Sequence, residues 1–221
     1  MFLTDHLTLP EALWIEQQPF ASPAPTLFAW NDALADALDL NLSAEQATQI
    51  FGGQTLPGET RSVAQAYAGH QFGQFVPQLG DGRAVLLGER RTSSGERLDV
   101  QLKGSGRTPF SRGGDGKSAL GPVVREFLVS EAMHSLGVPT TRALAALTTG
   151  ERVLREQLSP GGVLVRVARS HWRVGTFEFL AARGERDAIA QLIDAVIDRL
   201  YPDAAQRDAP VMALFEMIAA A

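Results

Sequence analysis

Residues 99–126 read DVQLKGSGRTPFSRGGDGKSALGPVVRE, and this stretch decides the fold. Apolar and polar residues alternate over positions 98–102, and this period of two predicts a β-strand that leads directly into Lys103. After a glycine-rich loop, apolar residues at helical spacing predict a helix over positions 122–136, which carries Glu126. A strand lysine, a basic glycine-rich loop and a helical glutamate are together typical of a site that grips a nucleotide.

The loop between this strand and helix is rich in glycine and in positive charge. It contains Gly104, Gly106, Gly113, Gly114 and Gly116 together with Arg107, Arg112 and Lys117. Glycines let backbone amides approach an anion closely, and arginines supply forked donors that match phosphate oxygens. A P-loop hydrolase is a weaker alternative, because Ser111 occupies the position where that motif requires glycine. Taken alone, the segment is equally consistent with a mobile loop.

Three charged residues outside the loop have a structural and a functional interpretation. Lys103 and Lys117 are the two lysines of the chain, beside eighteen arginines, and both lie in the opening stretch. Lys103 is either a lysine at a strand end whose ammonium group extends into solvent or one partner of an ion pair with Glu126. Arg166 lies in a predicted strand over positions 162–168 and must be paired if it is buried, by a structural carboxylate or by a phosphate. From its spacing alone, Glu126 is interpreted as an exposed helical glutamate, and Arg173 keeps positive charge near the end of the strand that carries Arg166.

The net charge of −5 conceals an asymmetry along the chain. Residues 1–60 contain eight acidic side chains and no lysine or arginine, whereas residues 83–125 contain nine basic and four acidic side chains. A basic segment within an acidic protein indicates a small, focused anion site. Nucleic acid is not predicted as a partner, because proteins that bind nucleic acid are usually basic overall, with aromatic residues among the basic ones.

Composition indicates an ordinary globular protein, with 45% hydrophobic and 20% charged residues in 221 positions. No apolar run approaches the roughly 18 residues that a membrane span needs, so no membrane association is predicted. The N-terminus lacks the basic start of a secretory signal. The absence of cysteine excludes disulfides and thiolate chemistry and is compatible with the cytoplasmic location that we predict.

Local signals place further elements along the chain. Ser43 and Gln46 form a capping box for a short helix, and Asp81-Gly82 precedes a strand over positions 84–89 that pairs as a hairpin with the strand over 98–103. A brief helix is predicted over 62–67. Other predictions are strands over 141–147 and 153–158 around a turn at Thr149-Gly150, and helices over 176–182 and 187–201.

Five segments together closely resemble the selenoprotein O family, and they extend over nearly the whole chain. They are YAGHQFGQF (67–75), QLGDGRAVLLGE (78–89), LKGSGRTPFSRGGDGKSAL (102–120), REFLVSEAMHSLGVPTTRAL (125–144) and VLVRVARSHWRVGTFE (163–178). The resemblance implies a protein-kinase-like α+β fold with an antiparallel N-lobe sheet, packed helices and a flipped nucleotide. It also implies transfer of AMP from ATP to Ser, Thr or Tyr hydroxyls of proteins, with Mg²⁺ or Mn²⁺. The alternative is a non-catalytic nucleotide-binding pseudokinase module.

The family's nucleotide contacts transfer position by position to this sequence. The implied ATP-binding residues are Gly80, Gly82, Arg83, Lys103, Asp115, Gly116, Arg166 and Arg173. Glu126 of REFL matches the helical glutamate that pairs with the lysine. We therefore predict that Lys103 pairs with Glu126 and that Arg166 and Arg173 face the same cavity as Lys103.

The sequence departs from the family in its catalytic segment. The family's base and metal ligands lie in HGxxNTDN-type and DYGP-type motifs, and neither motif occurs in these 221 residues. Asn31 and Asn41, the two asparagines, lie far upstream. We therefore expect a chain truncated at Ala221, before the catalytic loop. The catalytic base and the metal ligands are expected beyond Ala221, so that the chain has no catalytic or metal-binding residue of its own.

The resemblance also implies a division of the chain into three parts. The expected domains are an acidic extension (1–60), a nucleotide-binding lobe (61–175) and the start of a helical lobe (176–221). The last residues form an apolar helical pattern, and we expect one face of this helix to be exposed and to favour self-association. This face is formed by Val211, Met212, Leu214, Phe215, Met217 and Ile218.

Overall fold

Two antiparallel strands joined by a tight turn form the centre of the computed structural model, which describes residues 2–220. Strand β6 (Ala84–Arg91) pairs with strand β7 (Arg97–Lys103), and Ala84 lies opposite Lys103. The turn closes through a hydrogen bond from the Gly95 amide to the Thr92 carbonyl. The hairpin predicted from the sequence is confirmed.

Strands β6 and β7 belong to one large sheet. The described residues form ten strands: β1 (Trp14–Glu16), β2 (Thr26–Trp30), β3 (Val63–Gln65), β4 (Gly69–Gln71), β5 (Gln74–Val76), β6, β7, β8 (Ser118–Ala119), β9 (Arg142–Leu154) and β10 (Leu158–Ala168). The main sheet has the order β1-β3-β6-β7-β10-β9-β2, with β8 paired to β10, and its pairs are antiparallel. Strands β4 and β5 form a separate hairpin. Both edges of the main sheet therefore come from residues 1–60.

Six α-helices occur within residues 2–220. They are α1 (Asp32–Ala37), α2 (Ala44–Phe51), α3 (Leu120–Ser135), α4 (Val174–Ala181), α5 (Arg186–Leu200) and α6 (Pro210–Ala219). The predicted capping box is present at α2, where Ser43 and Gln46 exchange hydrogen bonds. Helices and an antiparallel sheet in one chain confirm the α+β class. No helix in the described part is long and apolar enough to cross a membrane.

The last described helix stops just before the final residue of the sequence. Helix α6 ends at Ala219, and Ala221, beyond which we expect the catalytic base, lies outside the described residues. The truncation expected at Ala221 and the base expected beyond it therefore stay predictions.

Alternation along the central strands separates an apolar face from a polar one. Val100 and Leu102 of β7 pack with Val165 and Val167 of β10 in a core that α1 and α2 cover. The intervening side chains on both strands point to the opposite face. On that face α3 buries Val123 against Ala143, Ala146 and Leu164. Helix α3 therefore lies beside the polar side chains of β7 and β10.

A second apolar cluster holds the C-terminal helices against the edge of the sheet. Phe179 and Leu180 of α4 pack with Leu192 of α5, Leu214 of α6 and Ala64 of β3. This packing fixes the loop between β10 and α4 beside the polar face.

The predicted helix over residues 62–67 is wrong, because Val63, Ala64 and Gln65 form strand β3. All three residues are buried, and the strand pairs with β1 on one side and β6 on the other. Pairing on both sides outweighs the weak local preference of this short segment.

The predicted turn at Thr149-Gly150 is also wrong. Strand β9 continues through it to Leu154, and the chain reverses at residues 155–157. Gly150 has a φ of +78°, and the register shifts between Pro160 and Gly162 on the partner strand. The glycine therefore marks an irregularity inside a long hairpin rather than its end.

The exposed face predicted for the last helix is only partly correct. Val211, Met212, Phe215 and Ile218 are exposed, whereas Leu214 is buried and Met217 packs against the second cluster. The helix turns these two side chains toward α4 and α5 because residues three apart lie on the same face.

Neighbouring residues of α6 provide a matched test of this arrangement. Leu214 is 6% exposed and Phe215 is 68% exposed. We expect Leu214→Ala to lower the free energy of unfolding by about 2–5 kcal/mol, because it leaves a cavity. Phe215→Ala should change it by no more than about 0.5 kcal/mol but should reduce self-association, because it removes exposed apolar surface. Chemical denaturation and sedimentation velocity measure the two effects, and equal destabilisation by both substitutions would contradict this packing.

Candidate functional site

The polar face of the sheet brings Lys103 and Arg166 together above α3. Leu164 lies opposite Lys103 and Arg166 lies opposite Gln101 in the pairing of β10 with β7. Lys103 Nζ forms an ion pair with Glu126 Oε2 of α3. Arg166 Nη1 lies 3.6 Å from Glu126 Oε1, so one carboxylate serves two cations from different strands. The contact between Lys103 and Glu126 is the one that the sequence predicts.

Burial shifts the ionisation of both cations. It lowers the pKa of Lys103, against the opposing effect of the Glu126 hydrogen bond. It also lowers the pKa of Arg166, against the attraction of Glu126 and Asp81. Desolvated cations of this kind gain more from a bound anion than fully solvated ones do.

A cavity of about 730 Å³ opens above these two cations. All eight residues predicted to contact the nucleotide line it: Gly80, Gly82, Arg83, Lys103, Asp115, Gly116, Arg166 and Arg173. Glu126 lies beneath the cavity, in contact with Lys103 and Arg166. Residues from four separate parts of the chain thus meet around one space.

The cavity wall has a large excess of positive charge. Its cationic side chains are Arg83, Lys103, Arg107, Arg112, Lys117, Arg155, Arg166 and Arg173, whereas Asp81 and Asp115 are its acidic ones. Lys117 Nζ is paired with Glu151 at 2.6 Å. Within residues 2–220, neither Arg83 nor Arg173 forms an ion pair with a carboxylate. These two guanidinium groups are available to an anion with several oxygens.

Close backbone contacts shape the glycine-rich loop. The Gly106 amide donates to the Gly116 carbonyl at 3.0 Å. Gly116 has a φ of +69°, and a Cβ atom there would lie 2.0 Å from the Gly106 carbonyl oxygen. Gly80, across the cavity, has a φ of +70° and lies against the Phe110 ring, which a Cβ would approach to 2.3 Å. Both positions require glycine for conformation and for space.

Arg155 fixes the end of this loop through Asp115. Its Nη1 and Nη2 donate to the two Asp115 carboxylate oxygens at 2.8 and 3.0 Å, and Nη2 also donates to the Lys117 carbonyl. These hydrogen bonds lower the pKa of Asp115 to about 2. No local pattern in the sequence indicates this pair, because Arg155 lies in the β9–β10 turn, forty residues along the chain.

Arg173 is held by an aromatic ring and by its own loop. Its guanidinium lies 4.7 Å from the centre of the Tyr67 ring, and burial raises the pKa of that tyrosine. Two residues earlier, the His171 amide donates to Asp99 Oδ2 at 2.8 Å. Arg199 of α5 donates to the other Asp99 oxygen at 2.5 Å. The Asp99 carboxylate thus anchors the segment that carries Arg173.

Tyr67 and Asp81 are cavity residues that the sequence analysis did not select, although both lie in quoted motifs. Asp81 is 4% exposed, and burial raises its pKa against the opposing effects of Arg166 and Arg173. Its position between two glycines of QLGDGR was the one available signal, and it indicated only a turn.

The implied metal does not fit the residues at hand. Among residues 2–220, no group of three or more His, Asp or Glu side chains is arranged to hold a metal ion. The arginines and glycines of the cavity do fit the phosphates of a nucleotide.

Comparison with known proteins gives a consistent family match. The family model described as "Protein adenylyltransferase SelO" matches residues 3–220. A protein of Rhodopseudomonas palustris (strain BisB5), named "Protein nucleotidyltransferase YdiU", is 57% identical over 99% of this chain and 45% of its own length. Relatives of the same name from Alkalilimnicola ehrlichii and Nitrobacter hamburgensis are 54% and 52% identical, over 98% and 100% of this chain and 44% of their own length. The chain spans less than half the length of these curated relatives.

Two glycines of the loop differ in their surroundings and provide a matched pair. A Cβ at Gly116 meets the Gly106 carbonyl, whereas a Cβ at Gly113, with φ +83°, meets nothing within 4 Å. We expect Gly113→Ala to cost about 1–2 kcal/mol for its backbone conformation alone. Gly116→Ala should cost roughly 1–3 kcal/mol more, because the Gly106–Gly116 contact must open. Urea denaturation measures both, and equal losses would show that the loop does not close at this contact.

Proposed function

Because the chain belongs to the SelO family of protein adenylyltransferases, we propose that it carries the nucleotide-binding part of an enzyme that transfers AMP from ATP to Ser, Thr or Tyr hydroxyls of proteins. The observation that carries this proposal is the convergence of Lys103, Arg83, Arg166 and Arg173 on one cavity. These residues come from separate segments, and an ordinary fold has no need to concentrate so many cations.

The side chains divide the work of holding a triphosphate. Lys103 is immobilised by Glu126 and presents a compact charge from the end of β7. Arg166 approaches from the neighbouring strand with a planar fork. Arg83 and Arg173, which have no carboxylate partner in the described residues, supply further donors from the rim. The glycine-rich loop lets the backbone approach the phosphate oxygens closely.

Transfer of AMP needs an acceptor oxygen at the α-phosphorus and a leaving pyrophosphate. The acceptor oxygen forms a bond to the α-phosphorus as the bond to the β-phosphate oxygen breaks, and the leaving electron pair goes to pyrophosphate. Cations around the β- and γ-phosphates stabilise the charge that this step develops. Binding and charge stabilisation are the contributions that residues 2–220 offer. We place the base that deprotonates the acceptor hydroxyl beyond Ala221 in the whole protein, because the family's catalytic motifs do not occur in these 221 residues.

We further propose that the fold is protein-kinase-like. Support comes from an antiparallel sheet whose strand lysine pairs with a glutamate on the next helix, the arrangement that kinases use to order ATP. In this scheme residues 61–175 form the nucleotide-binding lobe and residues 176–221 begin a helical lobe. Residues 1–60 form an extension whose strands β1 and β2 are the two edges of the sheet.

The first test is nucleotide binding by this chain. We expect Arg166→Ala and Arg173→Ala each to raise the Kd for ATP at least ~10-fold, the scale of a lost charged contact of roughly 1.5–3 kcal/mol. Isothermal titration calorimetry measures the change. Arg186→Ala, an exposed residue of α5, is the matched control and should bind like the parent chain. Unchanged affinity in both cavity variants would refute the assignment.

The second test is nucleotide transfer. Residues 1–221 lack the family's base and metal motifs, so we expect no AMP incorporation when labelled ATP, Mg²⁺ or Mn²⁺ and a protein mixture are added. The Rhodopseudomonas palustris relative, assayed in parallel, serves as the positive control. Robust incorporation by this chain would contradict the expectation and would place a catalytic base before Ala221 rather than beyond it.

A further inference from the structure

Asp81 is a buried carboxylate in the wall of an anion-binding cavity, where negative charge is unexpected. The side chain is 4% exposed. Asp81 Oδ2 accepts hydrogen bonds from the backbone amide of Gln65 at 3.2 Å and from the side-chain Nε2 of Gln101 at 3.0 Å. The backbone amide of Asp81 donates to the backbone carbonyl of Gln65, and the backbone carbonyl of Asp81 accepts from Thr108 Oγ1 at 2.7 Å. Backbone and side chain together hold this carboxylate in one place.

Gln101 of β7 connects Asp81 to Arg166 on the neighbouring strand β10. The side chain is fully buried in the centre of β7. A carboxylate only accepts hydrogen bonds, so the Gln101 amide must turn its NH₂ group toward Asp81. Its oxygen then faces β10, where it accepts a hydrogen bond from Arg166 Nη2. With an acceptor fixed on one side, the amide has one favourable orientation.

Arg166 has few other groups to hold it. Among the described residues, the Arg166 side chain has one hydrogen bond, to Gln101, and one ion pair, with Glu126 at 3.6 Å. Its Nε is buried without a hydrogen-bond partner. Glu126 is shared with Lys103, which it contacts more closely. The direction of the Arg166 fork therefore depends on the Gln101 oxygen.

We propose that Asp81 is a positioning residue that acts through Gln101 to aim the Arg166 guanidinium at a phosphate group in the cavity. The inference rests on the proposed nucleotide-binding function, which does not itself assign a role to Asp81 or Gln101. A positioning role also explains why the negatively charged Asp81 lies in the wall of a cationic cavity. A carboxylate behind the amide fixes the orientation of that amide, which in turn lies between the carboxylate and Arg166.

The competing explanation is that Asp81 merely offsets the positive charge of the cavity. Removal of its charge would then strengthen anion binding, because repulsion is lost. The positioning role predicts the opposite sign, since a misdirected Arg166 binds phosphate less well. The two explanations therefore differ in the direction of the affinity change.

The experiment is a double-substitution cycle with ATP and with inorganic tripolyphosphate, measured by calorimetry on the full chain. Asp81→Asn and Gln101→Met should each raise the Kd for both ligands about 5-fold or more. In an Arg166→Met background neither substitution should change the Kd by more than about 2-fold, because residues that act as one unit are not additive. Glu131→Gln, a hydrogen-bonded carboxylate of α3 outside the cavity wall, is the matched control and should leave the Kd unchanged.

A second measurement works without any ligand and is independent of nucleotide binding. In a ¹H–¹⁵N NMR spectrum, the Nε–H signal of Arg166 is identified by its loss in Arg166→Lys. This signal should be sharp in the parent chain and broadened in Asp81→Asn and Gln101→Met. Thermal melting of each variant confirms that the fold persists, and Gln101→Met provides the test if Asp81→Asn does not fold.

Each outcome decides the proposal. Weaker binding that disappears in the Arg166→Met background, together with signal broadening, supports it. Additive losses, unchanged or tighter binding, or an unaltered Arg166 signal overturn it. If the parent chain binds neither ligand, the proposed function fails, while the Arg166 signal still decides whether Asp81 and Gln101 orient that side chain.

Discussion

The strict alternation of side chains on two paired strands is the constraint on which the site depends. Strands β7 and β10 are paired so that Arg166 lies opposite Gln101 and Leu164 lies opposite Lys103. Because successive residues face opposite sides, the same strands send Val100 and Val165 into the core. A shift of one residue would bury the cations and expose the valines. The large apolar core on one face therefore enforces the polar arrangement on the other.

The cavity concentrates positive charge within an acidic protein. Carboxylates such as Glu126 and Glu151 lie behind the cations that they hold, whereas Arg83 and Arg173 remain without such partners among residues 2–220. Cations packed this closely repel one another, and their pairing with carboxylates below the cavity offsets that repulsion. A polyanion would relieve that repulsion from above, which gives a concentrated site within a protein of net charge −5.

Local sequence signals predicted much of this architecture. The Ser43 capping box and the β6–β7 hairpin depend on residues close together in the chain, and both are present. The Lys103–Glu126 contact joins residues 23 positions apart, was implied by the family resemblance, and is also present. The errors arose where distant pairing decides the outcome, as at residues 62–67, which β1 and β6 draw into the sheet. Arg155 and Asp81 were missed for the same reason, since their partners lie on other segments. Alternation indicates which face a residue occupies, but it does not indicate which distant side chain shares that face.

The two edge strands of the main sheet have a consequence for how the chain folds during synthesis. Strand β2 is made early, yet its partner β9 is among the last strands of the sheet to be made, and Leu27 pairs with Leu147. At a translation rate of about 5–20 residues per second, the first strands wait several seconds for their neighbours. Pairing across such a distance closes a long loop and slows folding. Just before this waiting strand, the prolines at positions 19, 23 and 25 lack an amide hydrogen and cannot donate to a neighbouring strand.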